Sequence, residues 1–152
     1  MNRRNVIQTA GVALAGAPAV ALSAEGTTVA DSRRRRGVET LNRITQGQGR
    51  AVIESLADIA PALGDFIVEF SYGDVISRPQ LDIKSRELAT VAALAALGNA
   101  QPQLKVHIHG ALNVGASREE IVEILIQTAV YAGFPAAINA VSTARQAFAE
   151  RN

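Results

Sequence analysis

Glu87 stands where a carboxylate is costly. On a helix it shares one stripe with Thr90, Val91 and Leu94, so it is set among mostly apolar neighbours. A carboxylate so placed must find a donor or become hard to ionise, and a carboxyl tuned in that way serves as a general acid or base near neutral pH. The ordinary alternative is a salt bridge to Arg86 or to an arginine from elsewhere. His107 lies on the next helix and borders the face formed by Leu104, Ile108 and Leu112, whereas His109 falls between Lys105 and Asn113 on the polar side. His107 is therefore expected to point inward, and His109 outward or toward a neighbouring chain. A lone inward histidine is usually a satisfied core residue, so a functional role for His107 needs a partner. Glu87 and His107 lie at comparable distances on either side of Gly98, so a tight turn there would bring them to one height in an antiparallel helix pair. His109 is the lesser candidate for a second acid.

Tyr72, Arg78, Asn113 and Arg118 fall at helix ends or in loops, where a substrate has access. Pro79 holds Arg78 extended, and a guanidinium fork suits a substrate carboxylate. A surface salt bridge is the commoner fate of each such arginine. Gly110 leaves room beside the His107 helix for a ligand or another backbone.

Composition narrows the chemistry. The 152 residues contain no cysteine and two histidines, which excludes disulfides, thiol redox cycles and an all-histidine metal site within one chain. A formal net charge of +1 and 4% aromatic residues provide neither a basic field nor a stacking platform for nucleic acid. Phosphate-cradling loops and the nucleophile elbow are missing from the sequence.

The elements that must position these residues read as helices throughout from Val38, because apolar residues recur at three- and four-residue spacing and strand-like alternation is missing. The spacing predicts helices over 38–44, 48–57, 61–73, 83–97, 103–114, 118–132 and 135–149. Pro61 opens the third, which carries Leu63, Phe66, Ile67 and Phe70 on one stripe, and a loop follows over 74–81. Asp82 is an N-cap, Gly98 a stop, and Ser117 with Glu120 a capping box. The helices over 83–97 and 121–132 are apolar on most sides, which calls for a subunit interface.

The first 24 residues have the layout of a signal peptide: a basic start, an uncharged apolar run, and small residues fit for cleavage. Arg3-Arg4 before a weakly apolar run resembles a twin-arginine signal, which makes the export machinery a partner and the periplasm the destination; the alternative is a tail on a cytoplasmic protein. The run contains Gln8, Gly11, Gly16 and Pro18, which argues against a permanent span. Residues 25–36 read as a linker with the basic run Arg33–Arg36, a solvated helix start or a contact to a partner subunit. The domain then occupies 37–149.

The segments Tyr72-Gly73-Asp74-Val75-Ile76-Ser77-Arg78-Pro79-Gln80-Leu81-Asp82, Gln103-Leu104-x-x-His107-Ile108-x-Gly110-Ala111-Leu112-Asn113-x-Gly115 and Ala129-Val130-Tyr131-Ala132-Gly133-Phe134-Pro135 resemble the carboxymuconolactone decarboxylase family. The resemblance implies an all-α, alkylhydroperoxidase D-like domain assembled as a homo-oligomeric ring, trimer or hexamer. In the thiol peroxidase branch of that family a Cys-x-x-Cys pair precedes a histidine, and a glutamate lies on the preceding helix. Here His107 takes the histidine place and Glu87 the glutamate place, while Ala100 and Gln103 stand where the cysteines would be, so the peroxidase mechanism lacks its essential atoms. The decarboxylase branch, with its Arg-Pro-x-Leu-Asp stretch, is the better match. It implies a cofactor-free lyase that acts on a small carboxylated lactone or keto acid, with Glu87 and His107 catalytic and Tyr72, Arg78, His109 and Arg118 as candidate substrate contacts. An export signal is out of place on an enzyme of cytoplasmic aromatic catabolism, so the substrate is expected to differ. A non-catalytic oligomer that binds a small acid is the alternative.

Overall fold

The computed structural model describes residues 28–151. The expected signal peptide over 1–24 lies outside the described residues. The chain forms α1 (Val29–Thr45), α2 (Gln48–Glu54), α3 (Pro61–Phe66), a π-helical segment (Ile67–Ile76) continuous with α3, α4 (Ile83–Leu97), α5 (Gln101–Asn113), α6 (Arg118–Ala132) and α7 (Phe134–Ala149). Among the described residues there is no strand, and no helix is long and apolar enough to cross a membrane.

The caps are those the sequence specifies. Asp82 accepts from the Ser85 backbone N–H at 3.0 Å, Ser117 and Glu120 close a reciprocal capping box, and Gly98 ends α4 in the left-handed region at φ 73°. The linker expectation fails from Val29 onward. Thr28 and Asp31 form a second capping box, and α1 runs nine residues earlier than apolar spacing suggested. Its basic run lies in the largely exposed early turns of that helix and is also paired within the chain. Arg33 pairs with Asp74, and Arg34 reaches Asp65 at 2.7 Å and Glu69 at 3.2 Å, which ties α1 to α3 and the π segment. Pairs this exposed contribute about 0–1 kcal/mol each, so they orient the helices more than they stabilise them.

Two cores result. Val91, Ala95, Leu104, Ile108, Ile121, Leu125 and the alanines of α7 fill the bundle of α4 to α7. Leu41, Ile44, Val68 and Tyr72 form the second, between α1 and the π segment. The expected stripe of Leu63, Phe66, Ile67 and Phe70 divides: Phe66 is 66% and Phe70 60% exposed, whereas Ile67 packs against the second core. Val68 and Tyr72, four apart on the opposite side, are buried against α1, and the π winding, with its i to i+5 bonds, puts more residues into each turn. It also carries the helix past Gly73 into the expected loop. Gly73 is a contact point and not a stop: a Cβ there would lie 2.7 Å from the Arg33 carbonyl oxygen. Gly37 is tighter still, with a Cβ falling 2.0 Å from the Val68 carbonyl oxygen.

Backbone cannot yield as a side-chain tip does, so Gly37→Ala is expected to force α1 off the π segment and to cost about 1–3 kcal/mol. The shift in a chemical-denaturation midpoint measures it, and an unshifted midpoint would show that the two helices part without cost.

Candidate functional site

α4 and α5 run antiparallel across the short connection at Gly98–Ala100, and this places Glu87 against His107. His107 Nδ1–H donates to Glu87 Oε2 at 2.9 Å. Glu87 is fully buried, whereas the His107 side chain keeps 17% of its surface. With Nδ1 committed to the carboxylate, Nε2 is the nitrogen left for a ligand. Glu87 Oε1 is buried and has no hydrogen-bond partner among the described residues. A fully buried carboxylate satisfied on one oxygen is a costly arrangement, of the kind that function and not stability retains.

Gly110 makes the contact possible. A Cβ at that position would fall 2.7 Å from Glu87 Oε2 and 2.7 Å from Ile44 Cγ2. The room that Gly110 leaves is thus filled by the Glu87 carboxylate and by α1.

His107 opens into a cavity of about 410 Å³ in the seam between the two cores. Leu41, Val52, Ile67, Ile76 and Val106 provide apolar wall, and Tyr72, Thr90 and Gln103 join His107 as polar lining. Tyr72 is 6% exposed, and burial together with the nearby Glu87 charge pushes its phenol well above the usual range. Thr90 and Gln103 were not singled out as contacts from sequence. The signal was there: Thr90 stands three residues after Glu87 on α4, and Gln103 four before His107 on α5, each on the same face. Gln103 thereby occupies the lining where the thiol branch would hold a cysteine.

The other candidates lie elsewhere. Arg78 lines a separate cleft of about 700 Å³ together with Arg43 and Lys84, on the far side of Ile76, which borders both spaces. Arg118 stacks over the Phe148 ring at 5.3 Å and donates to the Phe148 carbonyl at 3.3 Å. Asn113 donates to the Ile44 carbonyl at 2.7 Å, fastening α5 to α1. His109 does not point outward. It is 8% exposed, and its Nε2 meets Glu150 Oε2 at 2.9 Å, because the end of α7 folds over what helical spacing marks as the polar side of α5. Hydrogen bonds from Lys105 and then His109 hold the Glu150 carboxyl below the usual range, so this clasp is intact above ordinary carboxylate pH and loosens as pH falls.

Gly110→Ala is expected to push the Glu87 carboxylate away from His107 and to cost about 1–3 kcal/mol of stability. In proton NMR the His107 Nδ1–H should be a slowly exchanging, downfield signal in the parent chain and should vanish in the variant. Its persistence would show that the carboxylate tolerates the methyl group.

Residues 61–146 match the model of the Carboxymuconolactone decarboxylase family. The chain is 31% identical over 119 residues to 4-carboxymuconolactone decarboxylase of Acinetobacter baylyi, covering 78% of this chain and 88% of that protein. It is 31% identical over 101 residues to an uncharacterized 15.0 kDa protein of Paracoccus denitrificans, covering 66% and 75%. It is also 38% identical over 77 residues to nitrosuccinic acid decarboxylase npaB of Metarhizium robertsii, covering 51% and 53%. With its all-α fold and the motifs that bring Glu87 to His107, the chain belongs to the carboxymuconolactone decarboxylase family.

Proposed function

We propose that this decarboxylase-like enzyme is a carboxy-lyase that removes carbon dioxide from a small carboxylated lactone or keto acid by general acid/base chemistry, without a cofactor. The observation that carries the reading is the fully buried Glu87 carboxylate, holding His107 Nδ1 at 2.9 Å while the ring faces an apolar cavity. Two relatives named as decarboxylases of small acids support it. In such a substrate the electron pair released with carbon dioxide delocalises into a conjugated carbonyl, so the enzyme need only stabilise that charge and deliver a proton to carbon. His107 delivers the proton from Nε2. The Glu87 carboxylate behind the ring neutralises the positive charge of the imidazolium and fixes its orientation.

The same reading includes assembly and export. Ile126, Val130, Tyr131, Phe134 and Ile138 are more than half exposed where α6 ends and α7 begins, an apolar surface suited to a second copy in a homo-oligomer. The twin-arginine-like leader supports delivery of the folded domain to the periplasm.

Turnover of 4-carboxymuconolactone and related small lactones tests the activity. Glu87→Gln and His107→Gln are each expected to lower kcat by about 10²–10⁴-fold with helicity and assembly retained, since glutamine keeps a hydrogen-bonding group at each place. Full activity in both variants would remove the pair from the chemistry. Ligand-induced stabilisation without turnover would favour a binding protein.

A further inference from the structure

Decarboxylation needs a group to receive the charge that carbon dioxide leaves behind, and the Glu87–His107 pair is occupied with the proton. We infer that Tyr72 is that group: its phenol O–H donates a hydrogen bond to the enolate oxygen formed as carbon dioxide departs. This inference rests on the carboxy-lyase reading and adds the residue that receives the charge.

Of the cavity's hydroxyls that are not bonded to their own helix, that of Tyr72 belongs to the most buried residue. Thr45 Oγ1 donates to the Leu41 carbonyl at 2.8 Å and Thr90 Oγ1 to the Arg86 carbonyl at 2.9 Å, so both have given their protons to their own helices. Gln103 is exposed, where water competes, and Ser71 is only half-buried. Tyr72 is 6% exposed, lines the cavity with His107, and its hydroxyl makes no hydrogen bond among the described residues. A buried phenol normally has a partner, and here the cavity is where one must come from.

The π segment holds this donor in place. Tyr72 packs with Leu41, Ile44 and Val68, and its carbonyl accepts from the Ser77 backbone N–H at 3.1 Å. The next carbonyl, of Gly73, accepts from the Ser77 hydroxyl at 2.6 Å. A donor fixed before the reaction costs no reorganisation when the charge develops. Burial and the Glu87 charge keep the phenol protonated at neutral pH, so it acts as a donor throughout and never as an anion. The apolar walls of Leu41, Val52 and Ile67 lie on the same cavity and suit the uncharged body of the substrate.

The step balances without an oxidant or reductant. The bond from the α carbon to the carboxylate carbon breaks, carbon dioxide leaves, and the electron pair passes to the carbonyl oxygen hydrogen-bonded to Tyr72. The pair then returns to carbon, which takes the Nε2 proton of His107, and the ring regains a proton from water. One proton is consumed for each carbon dioxide released.

Two assays on full-length wild type and Tyr72→Phe test this, with melting temperature as the check on folding. Turnover of 4-carboxymuconolactone should show kcat lowered by about 10²–10³-fold, KM nearly unchanged and a pH profile of the same shape. Calorimetric binding of tetronate, the anion of a small enolised lactone, should weaken by about tenfold or more. Unchanged kcat, or tetronate bound equally by both proteins, would overturn the role of Tyr72, as would a wild-type chain that binds no tetronate. A wild-type chain that leaves the lactone intact yet binds tetronate through Tyr72 would overturn the carboxy-lyase reading on that substrate and keep the oxyanion donor.

Discussion

The arrangement depends on one buried charge. Glu87 is wholly removed from water, and its one hydrogen bond among the described residues comes from His107. Deleting one member of such a pair typically costs about 3–5 kcal/mol, because the other is left buried and alone. The surrounding structure is fitted to this pair. Gly110 clears the space that the carboxylate occupies, Ile44 of α1 closes the other side of that space, and Asn113 fastens α5 to the Ile44 carbonyl. The same charge acts on Tyr72 across the seam. A single carboxylate thereby fixes the imidazole, adds to the burial that keeps the phenol protonated and limits what α5 can carry at position 110.

How far the site was legible follows from which interactions are local. Caps are local, so Asp82, Gly98 and Ser117 could be read as they stand, and with them the antiparallel α4–α5 pair that brings Glu87 to His107. Apolar spacing also reports burial within one helix, which is why Glu87 was conspicuous. The start of α1 escaped because its first turns are polar and are held by the Thr28–Asp31 box and by ion pairs to residues more than thirty positions away. The π segment escaped because a 3.6-residue pattern does not report i to i+5 winding, and the exposure of Phe66 and Phe70 escaped because an apolar stripe does not say which side of a helix its neighbours cover. His109 was misplaced for a related reason. Its side of α5 is polar in sequence, yet Glu150 from the end of α7 covers it. Each miss is a long-range contact overriding a local pattern.

The family scaffold and the chemistry it hosts separate at a few positions. With Gln103 lining the cavity one turn before His107 and no cysteine anywhere in the chain, the shared glutamate–histidine geometry cannot serve thiol chemistry here. What remains is a hydrogen-bonded glutamate–histidine pair with apolar walls and a phenol. These parts come from α4, α5 and the π segment, so they belong to both cores, and the cavity is the seam where the cores meet. A substrate in that seam touches groups whose separation is set by how α1 and the π segment pack against α5. Helix packing at Gly37, Gly73 and Gly110 is therefore part of the geometry of the proposed site: in enzymes, displacements of about 1 Å at positions remote from the reacting atoms are enough to cost about a hundredfold in rate.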